Sequence, residues 1–238
     1  MPDSSSPAAG QTADQIAVEL RTRITAGRYP PGTPLRDAAL AEEFEVSRNT
    51  MREALRALRY DGLVHHQMHK GVMVRTLTPA DLRDIYAVRR TVEIRAVQES
   101  SMAGEPHLAN VGKAVVDAER SVRLEAWSEV GTASLAFHQA LVASLGSPSL
   151  DVFFAGVIAR LRLAFAVMED EGQFQAPWVP RDRQVWESIA AGRRTEAEQL
   201  LRIYLDDSER TVLDVLRAQH AGHRAVTPAA RNSDGEET

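Results

Sequence analysis

The chain has 238 residues, 44% hydrophobic and 26% charged, with a formal net charge of −5 and no cysteine. That length allows one or two domains with a sizeable core, and the missing thiols exclude a disulfide framework and a thiolate metal site. No apolar run reaches the roughly 18 residues of a membrane span, and the start MPDSSSPAAGQ lacks the basic and apolar regions of a secretory signal, so the expected setting is cytoplasmic, with no membrane partner.

The charge is unevenly divided. Residues 1–75 hold ten Lys+Arg and nine Asp+Glu, residues 76–238 hold eighteen and twenty-four, and the stretch 46–75 alone holds six basic and two acidic residues. A local basic surface is enough for phosphate binding, because counterion release follows the contacts made and not the total charge.

In chain order, residues 1–11 are rich in Ser, Pro, Ala and Gly and read as disordered. Thr12 and Gln15 have capping-box spacing, followed by Ile16, Leu20 and Ile24 at helical spacing. Tyr29-Pro30-Pro31-Gly32 breaks the helix. Asp37 is placed to cap a short helix that buries Leu40 and Phe44, Glu45-Val46 makes a turn, and Ser47 caps the next helix. In that helix Met51, Leu55 and Leu58 share one face, while Arg48, Asn49, Arg52, Arg56 and Arg59 occupy others. Asp61-Gly62 ends it. Leu63–His66 and Val72–Val74, joined through Lys70-Gly71, read as a two-stranded wing.

From Thr78, with Pro79 at the first helical position and Asp81 in the first turn, the pattern becomes long helices. Leu82, Ile85, Val88, Val92 and Val97 form an apolar stripe to about residue 103, and further helices are expected near 107–122, 126–145, 149–170, 181–191 and 195–219. Gly172–Pro180 reads as a loop. The fold class is therefore mainly α: a winged helix-turn-helix over 12–76, then an all-helical bundle of six or seven helices over 77–222, with a disordered tail over 223–238.

An arginine-studded helix after a tight turn suits the major groove of double-stranded DNA. Arg48, Asn49 and Arg52 carry donors for base edges, and Ser47 and Thr50 hydroxyls with helix N-terminal amides suit phosphate. Arg56 lies one turn further along and can instead pair with Glu53 or Asp61. Arg36 is placed for a backbone contact. At the wing tip, Gly71 lets the backbone approach a groove while His69 and Lys70 reach phosphate. His65, His66 and His69 do not make a convincing metal site, because strand alternation sends the first two to opposite faces.

The segment GRYPPGTPLRDAALAEEFEVSRNTMREALRALRYDGLV resembles the GntR family of bacterial transcription factors. IYAVRRTVE at 85–93, FHQAL at 137–141 and SIAAGRRTEAEQLL at 188–201 resemble the FadR-type C-terminal domain, called FCD; together the similarity spans about residues 12–219. The resemblance implies a ligand-responsive homodimeric regulator, usually a repressor, that binds an inverted repeat and holds a small effector in its helical domain. Many FCD domains bind a divalent metal through one carboxylate and three histidines. By the resemblance those positions fall at Ser134, His138, Asp182 and Tyr204, and one histidine with one carboxylate, a hydroxyl and a phenol suits zinc or nickel poorly. The expectation is thus no metal cofactor, with His138 either a hydrogen-bonded core histidine or, together with Ser134, Asp182 and Tyr204, lining a cavity that meets an effector directly. Arg89 matches an arginine found beside that cavity; it can neutralise an effector carboxylate or pair with Glu93 on the helix surface. Arg162 is a lesser candidate for the same role.

No nucleophile–base pair, H-E-x-x-H, P-loop or dinucleotide fingerprint is present, so the chain does not read as an enzyme. The alternatives are a small helical-domain enzyme or a metal-dependent sensor fused to the DNA-binding module. A purely architectural DNA binder fits less well, since the second half is acidic.

Overall fold

The structure is a computed structural model that describes residues 12–165, 168 and 171–226. The segments 1–11 and 227–238, expected to be disordered, lie outside the described residues. Among those described are ten α-helices and one three-stranded sheet.

The first half begins with α1 (Ala13–Thr25), β1 (Pro34–Leu35), α2 (Asp37–Glu43) and α3 (Arg48–Tyr60), followed by β2 (Val64–Gln67) and β3 (Gly71–Val74). The capping box is formed: the Thr12 side chain accepts from Gln15 N, and Gln15 Oε1 accepts from Thr12 N at 2.8 Å. Ser47 caps α3 by accepting from Thr50 N at 3.1 Å. Asp37 does not cap α2. Arg36 holds the N-cap position without a side-chain bond, and Asp37 is the first helical residue, where its carboxylate turns instead to Arg52. Glu45 makes the turn between α2 and α3 with a left-handed φ of 54°. α3 buries Met51, Ala54, Leu55 and Leu58 and packs on α1 and α2.

The sheet order is β1-β3-β2, antiparallel throughout, with Val64 opposite Val74 and Leu35 opposite Val72. β1 is an addition to the expected two-stranded wing. β2 starts one residue later than expected and ends at Gln67; the tip reverses through Met68–Lys70, with His69 at φ 64° and Gly71 at φ 81°.

The second half holds α4 (Pro79–Glu99), α5 (Glu105–Arg123), α6 (Trp127–Ala143), α7 (Pro148–Phe165), α8 (Glu171–Gln175), α9 (Val179–Ala190) and α10 (Arg194–Val226), with a 3₁₀ turn at Ser100–Met102. Seven helices is the upper of the two expected counts, because part of the expected Gly172–Pro180 loop is helical in α8 and α9. α10 runs past residue 222, where the tail was expected to begin. α5 lies along α6, α10 packs on α4 and α9, and α6 packs on α7.

One apolar cluster runs through both halves, from Ile16 and Leu58 through Leu63, Val74, Leu77 and Leu82 to Phe154, Val157, Leu201 and Leu216. Each such side chain contributes about 1.5–3 kcal/mol on burial. The connection between halves is therefore packed: Leu77 is buried, Arg75 pairs with Asp81 at 3.3 Å, and α7 touches α1 and α4. No helix among the described residues is long and apolar enough to cross a membrane.

Candidate nucleic-acid interface and buried polar site

α3 divides its side chains cleanly. The apolar set faces the core, and Arg48, Asn49, Arg52, Arg56 and Arg59 are exposed. Arg48 makes no hydrogen bond or ion pair among the described residues. Arg52 donates from Nε to Asp37 Oδ2 at 2.7 Å while its side chain stays 67% exposed, so it is not tucked beneath a neighbouring helix. Arg56 pairs with Glu53 at 2.5 Å, the alternative that the spacing allowed. The Ser47 and Thr50 hydroxyls lie 2.7 Å apart at the N-terminus of α3, where Ser47 takes the Thr50 amide and the Arg48 and Asn49 amides have no intrahelical partner. Arg36 is exposed at the start of α2, and His69 and Lys70 are exposed at the wing tip beside Gly71. His66 is exposed while His65 is half-buried, as alternation requires.

The second cluster is inside the bundle. Ser134 and His138 come from one face of α6, Asp182 from α9, Tyr204 from α10, and Arg89 from α4; all are buried. The structure thus brings together the five residues that the resemblance placed there. Ser134 Oγ donates to Asp182 Oδ2 at 2.8 Å, His138 Nε2 lies 3.8 Å from Asp182 Oδ1, and the His138 and Tyr204 rings stand 5.0 Å apart.

Sequence reasoning named Glu93 only as a surface partner of Arg89 and missed that it organises this cluster. Arg89 Nε donates to Glu93 Oε1 at 2.7 Å, and His138 Nδ1 lies 2.7 Å from Glu93 Oε2, with all three side chains buried. An Arg89–Glu93 pair on the helix surface was one of the two roles open to Arg89. It is formed, but in the interior, because Ile85, Arg89, Glu93 and Val97 recur at steps of four on the buried face, whereas Val88 and Val92 are only half-buried. That spacing was the available signal. Tyr86, also unanticipated, stacks near Arg89, 5.0 Å from ring centre to guanidinium carbon, and shares a 2.5 Å bond with Ser208.

The electrostatics follow from this wiring. Burial works against the Glu93 carboxylate, but the Arg89 charge and His138 outweigh it and hold Glu93 below its ordinary range. Arg89 is raised above its usual value, burial being overcome by Glu93. Burial pushes His138 down, so the ring is neutral, and its Nδ1–H is the proton given to Glu93. Burial dominates at Asp182 and lifts it to about 8, despite the bonds from Ser134 and Tyr204. The centre is then close to neutral overall: one guanidinium, one carboxylate, a neutral imidazole and a protonated carboxyl group. Three of its atoms have no hydrogen-bond partner, namely Arg89 Nη2, His138 Nε2 and Asp182 Oδ1. No group of three or more His, Cys, Asp or Glu side chains among the described residues is arranged to hold a metal ion. The donor set is the reason: Glu93 is committed to Arg89 and His138, and Ser134 and Tyr204 are weak ligands for zinc or nickel.

Residues 12–74 match the family model described as bacterial regulatory proteins, gntR family, and residues 84–207 match the FCD domain. Among solved structures, a GntR-type transcriptional regulator from Rhodococcus sp. RHA1 is 35% identical, with a TM-score of 0.80 over 85% of this chain and 97% of that one. A helix-turn-helix transcriptional regulator of Streptomyces ambofaciens is 27% identical across 91% of this chain and 93% of its own. The gluconate operon transcriptional repressor of Bacillus licheniformis is 30% identical over 135 residues, which is 56% of this chain and 55% of that repressor. The match to that repressor therefore spans about half its length. With a winged helix-turn-helix that exposes its arginines and an FCD bundle behind it, the chain belongs to the GntR family of bacterial regulatory proteins, FadR subfamily, and is a DNA-binding transcriptional regulator, not an enzyme.

Proposed function

We propose that this regulator is a ligand-responsive repressor that binds an inverted-repeat operator as a homodimer and releases it when a small effector occupies the buried polar centre. Arg48, Asn49 and Arg52 read base edges; Ser47, Thr50, Arg36, Arg56, His69, Lys70 and Gly71 meet the backbone or line the approach to it. Two such surfaces related by a two-fold axis read two half-sites. The regulator works in the cytoplasm, where bacterial DNA is.

The observation that carries the effector reading is the set of three unpartnered, buried polar atoms at Arg89, His138 and Asp182. Such atoms are costly unless something meets them. A small carboxylate that also bears a hydroxyl complements them: its oxygens accept from Arg89 Nη2 and from the protonated Asp182, and its hydroxyl donates to His138 Nε2. Ser134 and Tyr204 complete the wall. The repressor of the gluconate operon among the relatives supports hydroxy acids as the first class to examine. The metal-dependent sensor reading is disfavoured by the donor set described above.

An effector that fits one arrangement of the halves better shifts the population between them, and a difference of about 1–3 kcal/mol suffices. The packed connection supports such coupling, since Arg160 of α7 lies over Gly62 at the end of α3. A thermal-shift panel of small hydroxy acids, followed by release of a selected DNA duplex, tests the reading. Acids that raise the melting temperature and release DNA, with both effects lost in His138→Ala, are expected. Release that survives His138→Ala and Asp182→Ala would place the effector elsewhere.

A further inference from the structure

Asp37 opens α2, and Arg52 lies in the first turns of α3, fifteen positions later. The Arg52 Nε–H donates to Asp37 Oδ2 at 2.7 Å, and the arginine remains 67% exposed. The bond from Arg52, assisted by its charge and that of Arg48, holds the Asp37 carboxylate below its ordinary range.

A carboxylate in the first turn of α2 favours that helix end, but neither helix stability nor phosphate binding accounts for its bond to Arg52. An exposed ion pair adds little to folding. Beside a polyanion, a fixed negative charge weakens binding to every sequence alike. A DNA-facing surface that keeps an acidic residue therefore gains something other than affinity. The guanidinium supplies an answer. It carries five N–H donors in a rigid planar fork. With the Nε–H engaged by Asp37, the two terminal nitrogens are left for the paired contact that arginine makes to guanine O6 and N7. The same bond removes rotamer freedom that Arg52 would otherwise lose on meeting DNA.

We propose that Asp37 is a specificity-determining positioning residue of the DNA-reading surface: it holds Arg52 by its inner nitrogen so that the terminal pair addresses one guanine in each half-site. This deepens the assignment of Arg52 to base reading and rests on it. Asp37 touches no base; it acts through Arg52.

The test is in vitro selection from a random duplex pool with the full chain as wild type, Asp37→Ala, Asp37→Asn and Arg52→Ala. Anisotropy titrations on the selected duplex and a scrambled one accompany it. The wild type selects an inverted motif. Arg52→Ala and Asp37→Ala both flatten the same base-pair position in each half-site, lowering discrimination there about tenfold. Asp37→Asn, whose amide oxygen still accepts the Nε–H, keeps most of that discrimination. Binding of Asp37→Ala to the scrambled duplex holds or tightens, because a repelling charge has gone; a misfolded variant would lose affinity for both duplexes. Selection of an unchanged motif by Asp37→Ala overturns the proposal. Uniformly tighter binding with intact discrimination overturns it too, since Asp37 would then be only a repelling charge. A wild type that selects no motif, or an Arg52→Ala variant that keeps the motif intact, sinks the assignment of Arg52 itself and Asp37 with it.

Discussion

His138 gives its Nδ1–H to Glu93 across 2.7 Å, and neither side chain meets solvent. The bond fixes the imidazole tautomer and leaves Nε2 as a lone-pair acceptor facing Asp182. One carboxylate on α4 thereby sets which hydrogen-bonding face of His138 α6 turns toward Asp182.

Removing that carboxylate strands the Arg89 charge in the interior. Glu93→Ala is expected to cost about 3–5 kcal/mol of stability, the range for breaking a buried ion pair by deleting one partner. Replacing both, as Arg89→Met with Glu93→Leu, should recover most of the loss. Urea denaturation of the single and double variants measures both; a double variant as weak as Glu93→Ala would mean that the stranded charge is not the cause.

Asp182 gives the pH signature. Its carboxyl group sits near 3.8 when free and at about 8 in the fold. Between those values the unfolded chain has released a proton that the folded chain keeps, so this group's contribution to stability falls as pH rises through that window and is level above it. Glu93 and His138 are both lowered and act in the opposite sense, losing stability as pH falls. They are common to wild type and Asp182→Asn and largely cancel in the difference. The stability of Asp182→Asn relative to wild type should climb from pH 4 to 8 and then flatten. A difference independent of pH would show Asp182 ionised in the folded state.

On the DNA side, Arg48→Ala and Arg52→Ala should each weaken specific binding by about 1–3 kcal/mol in anisotropy titrations. Lys70→Ala should weaken all sequences alike and reduce the salt slope by about 1. Loss at a single base position in Lys70→Ala would give the wing a reading role instead of an anchoring one.

Gly62 joins α3 to the wing at φ 74°, and an added Cβ would stand 2.8 Å from Arg160 Cδ. Gly62→Ala should cost about 1–2 kcal/mol from the left-handed backbone, plus a smaller amount for moving Arg160 aside. Arg160→Ala in the Gly62→Ala background should return only that smaller amount, as read by thermal and urea melts.

Protein purified under mild conditions should carry no stoichiometric transition metal. Elemental analysis finding one zinc or nickel per chain would overturn the direct-effector reading of His138 and Asp182.

What the sequence made legible was local. The Thr12–Gln15, Ser47–Thr50 and Thr78–Asp81 caps each close within four residues, and each is formed. The face shared by Ser134 and His138 is one helical turn. Pairs that only tertiary packing creates were not legible: Asp37 with Arg52, and Glu93 with His138, 45 positions apart. Charged residues were sent to the surface by the usual amphipathic rule, and α4 breaks that rule because Arg89 and Glu93 neutralise each other. β1 has two residues and so no alternation to detect, and α8 has five, too few for a helical period.

The apolar cluster that crosses from Leu58 and Leu63 through Leu77 to Phe154 and Val157 joins the winged domain and the helical bundle in one core. Heat should dismantle both in a single step. A chimera that borrows another relative's head must import the seam along α7 and α4 as well.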